Sequence, residues 1–162
     1  MTLLPALWSG AARTAAPGLR LLLARRARRG KEVAARLAER RGIETEPRPP
    51  GPLVWLHAAS VGESLSILPV AAALAAEVSV LLTTGTATSA ALLARRLPEL
   101  GLAGRVRHRF APLDVPRWAG RFLDHWRPGA AGFVESEIWP NLLAGCRARG
   151  IPVMLLNARL SP

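Results

Sequence analysis

The sequence predicts an α/β domain: a Rossmann-like parallel sheet flanked by helices, preceded by a basic, amphipathic helical segment. Three observations predict it. From residue 53 onward, short apolar runs alternate with helix-like runs and recur about every 25 residues, as βα units do. The strand-like runs are apolar throughout, which is the pattern of a sheet covered on both faces. Each run ends in small and polar residues, and an open parallel sheet binds its ligands beyond the carboxyl ends of its strands.

The elements follow in order. LVWLH (53–57) reads as a strand and ESLSILPVAAALAAE (63–77) as a helix, with Pro69 a place for a kink. VSVLLTT (78–84) is a strand and ATSAALLARRLPEL (87–100) a helix. RVRHRFAP (105–112) is a strand and VPRWAGRFLDHW (115–126) a helix. AAGFVES (130–136), PNLLAGCRARG (140–150) and IPVMLLNA (151–158) read as strand, helix and strand. Neither a G-x-G-x-x-G turn nor a Walker sequence occurs among them.

Composition narrows the class. The chain has 162 residues, of which half are apolar, enough for one domain with a core. The single cysteine, Cys146, rules out an internal disulfide framework and reads as a helix-packing residue. The formal charge is +11, and all basic residues but Lys31 are arginine. Residues 1–50 carry 11 basic and 4 acidic residues, against 11 and 7 in residues 51–162. Arginine excess fits either a GC-rich coding sequence or a phosphate-bearing partner.

Residues 1–43 are expected to form the basic amphipathic segment. Its apolar run is interrupted by Arg13 and Arg20, so it is neither a secretory signal nor a membrane span. Leu3, Leu4, Leu7 and Trp8 recur at helical spacing, Leu19 and Leu21–Leu23 follow Pro17, and ARRARRGK comes next. Apolar face plus arginines suits a helix lying on an anionic membrane surface; two helices packed on the domain is the other reading. Nucleic acid is not expected as a partner, because no aromatic stacking platform accompanies the arginines. Residues 44–52, ETEPRPPGP, are expected to be a proline-rich linker, and residues 53–162 the sheet domain.

The strand ends carry the chemistry. The first gives His57, Ser60 and Glu63; the second Thr83, Thr84, Thr86, Thr88 and Ser89; the third Asp114; the fourth Glu135 and Glu137; the fifth Asn157, Arg159 and Ser161. Carboxylates, hydroxyls, an amide and arginine on one edge favour general-base chemistry on a hydroxyl over a covalent route. Gly62 would let a substrate approach the backbone beside Glu63. Glu63 is also what an ordinary helix start provides, and Glu135 and Glu137 precede a helix opened by Pro140. A Ser60–His57 nucleophile pair lacks an assignable third member.

WLHAASVGES, TTGTATS, VESEIWPNLL and LNARLS, in this order and spacing, resemble the N-terminal half of the Kdo transferases, over roughly residues 20–162. Those enzymes add 3-deoxy-D-manno-octulosonic acid (Kdo) to lipid A precursor. The resemblance implies a GT-B glycosyltransferase, whose N-terminal domain binds the lipid acceptor and whose C-terminal domain binds CMP-Kdo. It implies an inverting reaction without a metal or resident cofactor, at the cytoplasmic face of the inner membrane. It makes Glu63, of SVGE, the general base and Glu135 the stabiliser of the transition state. Ser60, Gly62, Thr84, Thr86, Glu137, Asn157 and Arg159 are then expected to bind acceptor. Gly85 and Ala87 make the second loop smaller than the family's usual Met and Pro. The donor domain lies outside these 162 residues, so the chain alone is expected to be inactive. The alternative from another class is a non-catalytic, membrane-associated binding module on the same scaffold.

Overall fold

The computed structural model describes residues 3–134 and 139–156. Five strands, β1 (Leu53–Ala58), β2 (Ser79–Thr84), β3 (Val106–Phe110), β4 (Ala130–Val134) and β5 (Val153–Leu156), form one sheet. Their spatial order is β3-β2-β1-β4-β5 and every pairing is parallel. The chain begins at the centre, winds outward to β3, and returns to build β4 and β5 on the other side. The order therefore reverses between β1 and β4, the place where ligands bind in open sheets of this kind.

Helices α2 (Val61–Ala75) and α3 (Ala87–Glu99) cover one face, and α4 (Pro116–Trp126) and α5 (Pro140–Ala148) the other. Alternation along β1 divides its side chains between the two cores. Leu53 and Trp55 pack with Phe122, Leu123, Trp126 and Phe133; Leu56 and Ala58 pack with Ile67, Leu68, Leu82 and Leu93. Trp55 is fully buried, 4.9 Å from the Phe122 ring and 5.0 Å from that of Phe133. Cys146 sits in the same core, and burial pushes its thiol up to about 11, which makes it a packing residue.

Elements fall close to the positions expected. α2 starts two residues earlier than the apolar pattern indicates, because Ser60 is its N-cap. Neither Pro69 in α2 nor Pro17 in the long first helix, α1 (Leu3–Arg28), ends its helix. Both prolines lie on exposed faces, where water can satisfy the carbonyl whose partner is lost.

The segment that joins α1 to the sheet is closely held. Two short 3-10 turns follow: Ala34–Arg36 lies against α1, with Arg36 reaching His108 of β3, and Glu39–Arg41 lies against β3 and α4. Gly42 has φ 63°, and a Cβ there would overlap the Trp118 carbonyl, so only glycine fits. Residues 44–52, expected as a linker, are tied to the domain by Arg109 to Glu44 (3.2 Å), Arg48 to the Trp126 carbonyl (2.8 Å) and His125 to the Glu46 carbonyl (2.8 Å). Burial pushes the Glu44 carboxyl up to about 7, opposed by Arg109.

Candidate functional site

The turn after β1 is built by reciprocal hydrogen bonds. Ser60 is extended, and its Oγ accepts from the Glu63 N–H at 3.3 Å. Glu63 reaches back: its Oε2 accepts the Ala59 N–H at 2.8 Å and its Oε1 accepts the Ser60 hydroxyl at 2.6 Å. This is a variant of the capping box, legible in the sequence as S-x-x-E. It fixes the carboxylate beyond the end of the central strand. A carboxylate has about four lone-pair positions, so it keeps room for a further donor. Gly62, between the two, is exposed, and a Cβ on it would meet nothing within 4 Å.

The turn after β2 lies directly alongside. Thr86 is exposed and caps α3, its Oγ1 accepting from the Ser89 N–H at 3.1 Å. The Gly85 N–H donates to the Ala59 carbonyl at 3.3 Å. A Cβ on Gly85 would stand 3.0 Å from that oxygen, so the small residue is what lets the two loops meet.

Thr84 is placed differently. It is fully buried, and its hydroxyl lies 2.9 Å from His108 Nε2. His108 Nδ1 is 3.3 Å from Arg36, and a guanidinium only donates, so Nδ1 accepts and Nε2 carries the proton to Thr84. Burial, with Arg36, Arg109 and Arg40, holds the imidazole down to about 3. Thr84 therefore forms the floor of the edge and offers no exposed surface to a ligand.

His57 and Asp114 also have internal partners. His57 is buried, with Nδ1 2.9 Å from Thr83 Oγ1, and the same hydroxyl accepts from Trp55 Nε1 at 2.8 Å. Asp114 is buried and caps α5: Oδ1 accepts the Leu142 N–H at 2.9 Å and Oδ2 the Asn141 N–H at 3.1 Å. Its Oδ2 also accepts Trp8 Nε1 at 2.7 Å, which anchors the start of α1. Glu135, Glu137, Asn157 and Arg159 lie outside the described residues.

Sequence reasoning missed the role of residues 26–41. Glu32 and Arg40 form an ion pair at 3.1 Å, with side chains only 4% and 5% exposed. Arg40 also donates to the carbonyls of Gly85 and Ala111, and Glu32 accepts from Arg26 at 3.2 Å. Arg36 grips Glu39 with two bonds of 2.7 and 2.8 Å, and Glu39 accepts the Phe110 N–H at 2.7 Å. Arginines read as a charged membrane face are thus partly structural cations at the sheet's carboxyl edge. The interleaved acids of KEVAARLAERR were the available signal.

These contacts lay α1 across the carboxyl edge. Beneath it is a cavity of about 270 Å³ bordered by Arg26, Glu32, Arg40, His57 and Gly85. Among the described residues no helix is long and apolar enough to cross a membrane.

Fold and edge together define a doubly wound α/β domain with a fixed carboxylate at the end of its central strand. Comparison with known proteins specifies it further. Residues 35–162 match the family model described as 3-deoxy-D-manno-octulosonic-acid transferase (kdotransferase), and the chain belongs to that family. It is 40% identical over 136 residues to a probable mitochondrial 3-deoxy-D-manno-octulosonic acid transferase of Arabidopsis thaliana, covering 82% of this chain and 29% of the relative. It is 38% identical over 155 residues to the 3-deoxy-D-manno-octulosonic acid transferase of Bordetella pertussis, covering 93% and 36%. The corresponding protein of Haemophilus influenzae is 35% identical over 130 residues, covering 78% and 29%. The chain thus spans about a third of the length of these curated relatives.

Proposed function

We propose that this chain is the acceptor-binding half of an inverting, GT-B-type transferase that moves Kdo from CMP-Kdo to a lipid A precursor, lipid IVA, in lipopolysaccharide biosynthesis. A donor-binding domain outside these residues would hold CMP-Kdo, and the chain alone would transfer nothing. Glu63 takes the proton from an acceptor hydroxyl. That oxygen bonds to the anomeric carbon of Kdo from the face opposite the leaving group. The bond from that carbon to the phosphate oxygen breaks, and CMP departs with the electron pair. Glu135 stabilises the positive charge that develops at the sugar. Ser60, Gly62 and Thr86 border the acceptor on the described side, with Glu137, Asn157 and Arg159 completing it. The work takes place at the cytoplasmic face of the inner membrane, against an anionic surface.

The observation that carries this reading is the carboxylate of Glu63, held by two donors beyond the central strand within the family-matched segment. The capping box by itself would give that carboxylate a purely structural purpose, as in a binding module without chemistry. Glu63→Gln separates the two, since glutamine also serves in a capping box. In a chain joined to a donor-binding domain, the substitution is expected to leave the thermal midpoint within a degree or two. Transfer should fall by about 10²–10⁴, the contribution of a general base. Transfer at the full rate would reject the catalytic reading.

A further inference from the structure

The inward seam of α1 leaves a gap. Trp8, Ala12, Ala15, Leu19, Leu22 and Arg26 follow one another at alternating spacings of four and three residues, which places them on one stripe of the helix. The ends of this stripe are fastened, by Trp8 to Asp114 and by Arg26 to Glu32. Its middle is alanine. Opposite stand Leu113, Val115 and Trp139, and between them runs a groove of about 330 Å³. Its walls are apolar apart from Asp114, whose carboxylate is already bonded to Trp8, Asn141 and Leu142.

The groove does not stop at Leu19. Leu19, Leu113 and Trp139 also border the neighbouring cavity, whose other walls include Arg26, Glu32, Arg40 and His57. The apolar groove therefore adjoins a second, mainly apolar cavity with charged groups in its wall, in the direction of the arginines that end α1. Arg25, Arg28, Arg29 and Lys31 are all exposed there, with Glu32 the one acid nearby in sequence, and Glu32 is buried in its ion pairs.

We propose that the α1 groove holds one alkyl chain of an anionic lipid, with its phosphate at the Arg26 end. The charge distribution favours this orientation: none of the residues that line the groove around Trp8 is a cation, while the Arg26 end is flanked by several. The inference rests on the lipid-acceptor reading above and adds to it the place where a tail is gripped. A helix merely adsorbed on a bilayer would use its outward residues, Leu7 and Leu21, both more than half exposed. A gripped tail depends instead on Ala12 and Ala15, which line the groove.

The test is equilibrium binding of dodecyl phosphate, below its micelle concentration, to the full 162-residue chain. Inorganic phosphate and dodecyl maltoside serve as controls. Ala15→Phe fills the groove and is expected to weaken dodecyl phosphate at least tenfold. Gly10→Leu, on the opposite side of α1 where a Cβ meets nothing, should leave it unchanged. Arg26→Gln should weaken dodecyl phosphate several-fold and leave dodecyl maltoside untouched. Ala12→Met fills the same space more gently and decides the matter if Ala15→Phe lowers the thermal midpoint. Unaltered binding in both filled variants would overturn the proposal. So would dependence on Leu7→Gln and Leu21→Gln alone, which would mean adsorption to a surface. Glu63→Gln should bind dodecyl phosphate as the parent does. Failure of the groove therefore leaves the transferase reading standing, and failure of Glu63 to matter in transfer leaves the groove standing.

Discussion

Glu63 and Ser60 hold one another at the end of β1, and Gly62 stands between them with open space above its backbone. Nothing in the fold needs glycine at that position. It lies in the first turn of a helix, where alanine is normally better by about 0.5–1 kcal/mol. Gly62→Ala is therefore expected to raise the thermal midpoint slightly. If an acceptor sugar passes over this turn, the same methyl should cut transfer about tenfold, chiefly through KM. Unchanged kinetics would place the acceptor elsewhere. At this scale the sequence was partly legible. The S-x-x-E spacing and the position after a strand both point to Glu63. Thr84 and Asp114 misled, because a polar residue at a strand end can face inward as easily as outward. His108 across the sheet and the N-terminus of α5 are partners that lie 24 and 27 residues away, beyond any local pattern.

The strands and helices from residue 53 onward were legible because their apolar runs are long, and because α2 and α3 have Ser60 and Thr86 as local N-caps while α4 and α5 open on proline. The elements before residue 53 were less so. A run of arginines beside leucines has the composition of an interfacial helix, and α1 does expose Leu7, Leu21 and Leu22. Composition does not say which arginines turn inward. Arg40 does, clamping Glu32 and the loops after β2 and β3. Removing one member of such a pair strands a buried charge. Arg40→Met is expected to cost about 3 kcal/mol in denaturant unfolding. Joined with Glu32→Leu it should cost less than the two single changes added together, because the pair couples. Strict additivity would mean that Arg40 acts through its backbone contacts only.

Over the whole molecule, two turns, a roofing helix and a basic rim converge on the carboxyl edge of a parallel sheet. The strand order puts β1 at the switch point, the S60-V-G-E63 turn continues it, and Gly85 brings the second loop alongside. α1 then lies over the same edge, so that an apolar groove and a fixed carboxylate occupy one side of the domain. That arrangement suits an amphiphile whose sugar reacts while its tail stays in an apolar channel. The most direct measurement is a crystal structure of this domain, joined to a donor-binding domain, with a lipid A precursor as acceptor. An acceptor hydroxyl is expected within about 3.2 Å of the Glu63 carboxylate, the reach a general base requires. An acceptor seated on the α2–α3 face, with all its hydroxyls out of that carboxylate's reach, would contradict it.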